Sequence, residues 1–284
     1  MSVTVTLNIF SGRPDPSWTL PEEAVSELQD RISRIATHSN LKAIEPTGAL
    51  GYRGFSIRRE EAPSSTRIYA GIVDDGPGIP SLIAENREIE QWLLSTAGGA
   101  INDSLEAHVR EALAQRIADS ALATPVHPLA QCPSCQAGDA PTYYPAMWNT
   151  PTVQPYNNCY NYANNRITNT FAQPGKATGH PITGLSCPGT SPSAQSDGLV
   201  TCPNFAGPLG SGQGWYVALV IWPGNDYHWY RQDKVGCWSH KPGRTAARNT
   251  DNSGNPISDP KTCNRGPYTD FCTYMITKTT VHIG

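Results

Sequence analysis

The stretch DYHWYRQDKVGCWSH, residues 226–240, decides how the second half of this 284-residue chain is read. A strand begins with His228, and Asp233-Lys234-Val235-Gly236 follows with Asp first and Gly fourth, the pattern of a type I turn in a three-residue hairpin loop. Side chains alternate faces along a strand, so an odd-length loop puts residues an even distance apart on one face. His228 and His240 are therefore expected cross-strand, directly opposed or offset by one pair, within roughly 5 to 8 Å. A two-residue loop would put them on opposite faces; the turn chemistry favours the shared face.

Two neighbouring imidazoles can bind a metal, or one can fix the tautomer of the other for proton transfer. A metal would need further ligands, and no carboxylate is clearly placed to supply one, so no metal or cofactor is expected. Proton transfer needs a nucleophile. Upstream, Cys159, Ala163, Ile167 and Phe171 recur every four residues, the stripe of a helix stopped by Pro174-Gly175, with Asn157 or Asn158 able to cap its start. A thiol in the first turn of such a helix is expected to have a lowered pKa, and a neighbouring imidazolium would lower it further. Trp215 to Trp222, WYVALVIW, is a continuous apolar strand that ends in the turn Pro223-Gly224-Asn225-Asp226, just before the histidine strand.

A cysteine opening a helix, a downstream strand beginning with a histidine, and a second polar residue, often histidine, about a dozen positions later resembles the NlpC-type cysteine peptidases of the papain-like fold. Asn158-Cys159-Tyr160-Asn161 falls where that family has Asp-Cys-Ser-Gly, and the likeness covers roughly residues 155–245. It implies an α+β fold with a central antiparallel sheet and a Cys-bearing helix. It further implies Cys159 as nucleophile, His228 as general base and His240 as the group orienting His228, with Asn158, Tyr162, Trp229 and Trp238 lining the substrate. The substrate implied is a peptide or protein, with bacterial cell-wall peptides typical of the family. The chain departs from the family in having Tyr-Asn after the cysteine and a long spacing from Cys159 to His228. A transglutaminase, acyltransferase or deamidase would use the same three groups.

The competing class is a disulfide- or zinc-stapled protein that binds a peptide or glycan without chemistry. Cys159 would then be paired or buried, and His228 and His240 would belong to an aromatic cluster with Trp229, Tyr230 and Trp238. Asp226 is an alternative orienting carboxylate, though its turn explains it equally well. Cys132-Pro-Ser-Cys135 is a single C-x-x-C, compatible with a redox pair or half a zinc site. Cys187 with Cys202, and Cys263 with Cys272, bracket loops that a disulfide could staple, and Cys237 is the cysteine expected to remain unpaired. Asn249 to Pro260 lacks the spacing of a calcium loop and reads as an ordinary turn.

Residues 1–125 hold 17 of the 24 acidic residues and no cysteine, whereas 126–284 hold all eight cysteines and no glutamate. We place a boundary near Ala123-Thr124-Pro125, between an acidic α+β module of unassigned role and a cysteine-rich catalytic domain. Charges of −6 (11 basic, 17 acidic) and +3 (10 basic, 7 acidic) are too modest and dispersed to argue for nucleic acid. The start, MSVTVTLNIFSG, shows neither a basic region nor a long apolar run, so no secretory signal is expected, and no stretch has the length of a membrane span. Eight cysteines in the second part point instead to an exported or oxidising environment, which leaves the compartment undecided.

In the first part, Val3–Ile9, Tyr52–Ile57 and Arg67–Val73 are expected as strands. Pro21–Ile35, with Thr19 and Glu22 as a capping box, Ile89–Leu94, and a segment through Leu105, Val109, Leu113 and Ile117 capped by Asp103 or Ser104 are expected as helices. His38 and His108 have no partner pattern and are expected at the surface. In the second part, 126–155 and 175–213 read as long irregular segments.

Overall fold

The computed structural model describes residues 2–35, 48–60, 65–75, 82–83, 87–114, 138–205 and 207–284. It is an α+β protein with two antiparallel sheets and short helices. The chain divides into two compact units: Met1–Ile9, Asp15–Thr47 and Tyr52–Thr124 form the first, and Phe10–Pro14, Gly48–Gly51 and Pro125–Gly284 form the second. His38, Ile117 and the Cys132/Cys135 pair lie outside the described residues.

The first unit carries a six-stranded sheet in the order β2-β1-β3-β4-β5-β6. The strands are β1 (Val3–Leu7), β2 (Ser17–Thr19), β3 (Phe55–Arg59), β4 (Thr66–Tyr69), β5 (Ile72–Asp74) and β6 (Leu82–Ile83). Alternation in β1 buries Val3, Val5 and Leu7, and its register with β3 sets Val5 opposite Ile57. The expected strand Arg67–Val73 is two strands, because Ala70 and Gly71 take positive φ and turn the chain. The Glu90 carboxylate holds that turn, accepting the Ala70 and Gly71 N–H groups at 3.2 and 2.9 Å and the Tyr52 hydroxyl at 2.6 Å.

The helices of this unit are α1 (Glu22–Ser33), α2 (Glu88–Ser95) and α3 (Asp103–Ala114). The capping box expected at Thr19 and Glu22 does not form: Thr19 belongs to β2, and Pro21 is the N-cap, without a side-chain bond. Asn102, rather than Asp103 or Ser104, caps α3, its side-chain oxygen accepting the Leu105 N–H at 2.8 Å.

The second unit is built on the sheet β10-β9-β8-β11-β7. These strands are β7 (Val200–Cys202), β8 (Trp215–Trp222), β9 (Asp226–Gln232), β10 (Trp238–His240) and β11 (Asp270–Thr277). β8 lies second from neither edge but in the middle, paired to β9 and β11, and every residue of WYVALVIW is buried. Its helices are α4 (Pro145–Trp148), α5 (Cys159–Ala163) and α6 (Cys187–Ser196). Two expectations fail here. The helix expected to run on through Ile167 and Phe171 ends after five residues, since Asn165, Asn169 and Phe171 have positive φ and the Asn161 side chain bonds the Arg166 carbonyl and the Thr168 hydroxyl. The segment 175–213, expected to be irregular, contains α6 and β7; Ser186 caps α6 and Pro188 sits in its first turn, where a missing N–H costs nothing.

The core of this unit gathers Val217, Leu219 and Ile221 from β8, Tyr227 and Trp229 from β9, and Cys159, Tyr160 and Ala163 from α5. Cys187 of α6 and Cys272 of β11 form a disulfide that ties helix to sheet across 85 residues. This replaces the expected pairs Cys187–Cys202 and Cys263–Cys272: Cys202 and Cys263 are free thiols. Cys237, expected to be unpaired, is disulfide-bonded. The pairing follows the sheet, in which β11 lies beside both β7 and β8, and sequence proximity does not reveal it.

Candidate active site

β9 and β10 form the hairpin, closed by Asp233 N–H to the Cys237 carbonyl (2.8 Å) and Gly236 N–H to the Asp233 carbonyl (2.8 Å), with Gly236 at φ 91°. Tyr230 opposes His240 in the register, so His228 is one pair removed on the same face. The two rings meet, their centroids 4.9 Å apart. His240 also stacks on Tyr230 at 4.9 Å, which fixes its plane.

The hydrogen-bond chain fixes both tautomers. His240 Nε2 lies 3.0 Å from the Thr250 carbonyl oxygen, which can only accept, so Nε2 carries the hydrogen. Burial and the Arg248 charge push His240 down to about 3, so its Nδ1 is a bare acceptor at neutral pH. It takes the hydrogen of His228 Nε2 at 2.8 Å. His228 Nδ1 is thereby left as the basic atom of the ring, and it is paired with the Ser11 hydroxyl. Nothing in the sequence marks Ser11, which lies just past the strand expected at Val3–Ile9.

β10 pairs with Tyr230–Gln232 alone, so the Asp226–Trp229 half of β9 has an edge that β10 does not cover. The Trp229 N–H there and the Ser11 hydroxyl both act to lower the Cys159 thiol, which puts both near the sulfur. Ser11 thus neighbours both the imidazole and the thiol. Asn158 caps α5 through a capping box with Asn161, its Oδ1 accepting the Tyr160 and Asn161 N–H groups at 3.0 and 3.1 Å.

The segment Phe10–Pro14 is bound along this edge through its backbone. The Asp226 carboxylate accepts the N–H groups of Ser11 (2.5 Å), Gly12 (3.1 Å) and Arg13 (3.1 Å), together with the Tyr268 hydroxyl (2.5 Å). Asp226 therefore positions this segment; burial raises it to about 6 even against the bonds from Tyr268, Ser11 and Gly12. The Gly12 carbonyl oxygen takes Asn158 Nδ2 at 2.7 Å and Gln173 Nε2 at 2.9 Å; the Tyr227 hydroxyl oxygen lies 3.1 Å away, its one hydrogen going to Gln173 Oε1 at 2.8 Å. A Cβ on Gly12 would stand 2.3 Å from the Tyr227 ring, so only glycine fits.

The expectation of an acidified thiol is overturned. Cys159 is fully buried, and desolvation with the Asp226 charge pushes it up to about 12 against the bonds from Ser11 and Trp229 and the charge of Lys241. Lys241 is itself buried and spends its hydrogens on the carbonyls of Gln154, Asn157 and Gly243 at 2.6, 2.5 and 2.7 Å. A five-residue helix has little dipole to set against full desolvation.

Of the residues expected to line a substrate, Asn158 faces this cluster and the others are spent on packing. The Tyr162 hydroxyl bonds Ser239 at 2.7 Å, Trp229 packs on Tyr160, and Trp238 packs on Phe205 and Tyr274; all three tryptophan and tyrosine side chains are buried. Among the described residues no group of three His, Cys, Asp or Glu side chains is placed to hold a metal ion.

Comparison with known proteins yields one informative relative, insoluble matrix shell protein 1 of Ruditapes philippinarum. It is 49% identical over 135 residues, 47% of this chain and 87% of the relative. The chain belongs to the family of this shell protein. A match of 135 residues is longer than the 124 residues that precede Pro125, so the likeness to insoluble matrix shell protein 1 includes part of the cysteine-rich region. No protein-family model matches the chain, and no solved structure gives a significant match.

Proposed function

We propose that this protein is a cysteine-dependent enzyme of papain-like type that cleaves or transfers an amide, with Cys159 as nucleophile, His228 as general base and His240 as the residue that orients His228. The observation that carries this reading is the directional His228–His240–Thr250 chain, which leaves His228 Nδ1 as the single basic atom on the side of Ser11 and Cys159. An imidazole in an aromatic cluster needs no such order.

In this mechanism the Cys159 proton passes to His228 Nδ1 and the sulfur attacks the amide carbonyl carbon. The C–N bond then breaks as the His228 imidazolium gives its proton to the departing amine, leaving a thioester on Cys159. Water or a second amine, deprotonated by His228, takes the acyl group and returns the thiol. His240 stays neutral throughout and accepts the His228 Nε2 hydrogen, which strengthens as the imidazolium forms. A peptide or protein is the substrate class, with cell-wall peptides as the narrower suggestion drawn from the NlpC-type resemblance. The Cys187–Cys272 disulfide and the relative's name, which places that protein in a shell matrix, support an extracellular setting.

Burial of Cys159 favours a second reading, a matrix component without chemistry. The two separate on covalent trapping. The protein is incubated with activated glycyl esters, and the acylated residue is located by mass spectrometry. The enzyme reading expects an adduct on Cys159 that His228→Ala forms far more slowly. Absence of an acyl adduct under conditions in which iodoacetamide alkylates Cys159 would establish the second reading instead.

A further inference from the structure

Resting on that mechanism, we infer that Ser11–Arg13 occupies the acyl-binding site as a built-in, substrate-like ligand, with the Gly12 carbonyl oxygen in an oxyanion socket formed by Asn158 and Gln173. The socket is pre-organised from behind. Asn158 Oδ1 is committed to the N–H groups that open α5, which aims Nδ2 at Gly12. Gln173 Oε1 accepts the Tyr227 hydroxyl at 2.8 Å, which aims Nε2 at the same oxygen. Two fixed amide donors converging on one carbonyl oxygen, one of them on the residue that precedes Cys159, are the arrangement that stabilises charge on a reacting carbonyl.

The segment is bound as a peptide ligand is bound. Its three successive N–H groups go to one buried carboxylate, its central carbonyl goes to the socket, and the Ser11 hydroxyl pairs with His228 Nδ1 and neighbours Cys159. Two consequences follow. A tethered occupant competes at the millimolar effective concentrations typical of intramolecular binding, so the resting protein is self-inhibited. The Tyr227 ring, which excludes any Cβ at Gly12, also restricts the replacing substrate to an acyl group with glycine at the carbonyl-bearing position.

The test uses the full chain with two substitutions. Gly12→Ala drives a methyl group into the Tyr227 ring, and Gln173→Met removes one socket donor at similar volume. Iodoacetamide labelling of Cys159 and hydrogen exchange of the Gly12 and Arg13 amides are read together, with exchange of the β8 amides reporting that the sheet remains folded. Labelling and segment exchange are expected to rise together, at least tenfold in Gly12→Ala and several-fold in Gln173→Met, while β8 is unchanged. Should Gly12→Ala not fold, Gln173→Met decides alone. Segment exchange that rises without labelling, or labelling that rises only with β8 exchange, overturns the inference. Labelling that rises with the segment while no glycyl ester acylates Cys159 supports occupancy by the segment and overturns the enzyme reading.

Discussion

His228 Nε2 and His240 Nδ1 lie 2.8 Å apart with a defined direction, because the Thr250 carbonyl takes the one ring hydrogen of neutral His240. Removing the second ring leaves the His228 N–H buried without its acceptor, which costs about 1 to 3 kcal/mol of stability. It also frees the wrong tautomer, with the hydrogen on the nitrogen that must act as base. In the loop-displaced Gly12→Ala background, His240→Ala is expected to slow single-turnover acylation of Cys159 by about 10²- to 10⁴-fold. His240→Gln, which keeps an acceptor, should retain part of the rate. Equal rates for Ala and His at position 240 would remove His240 from the mechanism.

His240 of this pair and Asp226, two residues before His228, respond to acid with opposite signs. His240 is pushed down to about 3 from 6.5, so the unfolded chain takes up the proton first, and its share of stability is complete above pH 6.5 and lost as pH falls. Asp226 is pushed up to about 6 from 3.8, so the folded chain takes up the proton first, and its share is present below pH 3.8 and lost as pH rises through 6. The stability of the wild type relative to Asp226→Asn should therefore fall by about 2 to 3 kcal/mol between pH 4 and pH 7. Urea unfolding at four pH values measures it, and a difference that grows with pH contradicts the assignment.

The meeting of His228 and His240 was legible because hairpin parity is a local property: Asp233 to Gly236 carries the turn, and an odd loop fixes the shared face. β8 was legible for the same reason, as eight consecutive apolar residues that stay buried. Ser11 was not legible, since its partner is 217 residues away and nothing in Ser11-Gly12-Arg13 distinguishes a bound segment from a turn. Asp226 carried a faint signal, a carboxylate two residues before a candidate base, but its bonds run to the Ser11–Arg13 backbone. The thiol's pKa was misjudged because a helix start is visible in sequence and full burial is not. The stripe from Cys159 to Phe171 failed where asparagine side chains outcompete the helix for backbone partners.

The Cys187–Cys272 disulfide closes a loop across 85 residues. Loop-closure entropy for that length corresponds to about 4.5 kcal/mol, with native relaxation reducing it. Replacing both cysteines by alanine should thus lower the stability of the second unit by about 2 to 5 kcal/mol in urea unfolding. Peptide mapping without reduction should recover Cys187 joined to Cys272, with Cys202 and Cys263 alkylated once the chain is denatured. A Cys187–Cys202 peptide would contradict the sheet order that places β11 between β8 and β7.

Arg231 and Asp233 form an ion pair with both side chains almost wholly removed from water, at 2.8 Å. The guanidinium also donates to the Tyr162 hydroxyl at 2.9 Å and lies 4.1 Å over the Tyr162 ring, which connects the hairpin to α5. Burial raises the Asp233 carboxyl, with Arg231 as the main opposing influence, so removing the arginine leaves a carboxylate without compensation just where the hairpin loop closes. Arg231→Met should therefore cost about 3 to 5 kcal/mol, and adding Asp233→Leu should restore much of it, because an apolar pair replaces a buried charged one at little net cost. A double-mutant cycle in urea measures the coupling. Restoration without recovery of Cys159 acylation would show that the pair serves the hairpin geometry bringing His240 to His228, whereas single-mutant losses below about 0.5 kcal/mol would show that the pair holds nothing in place.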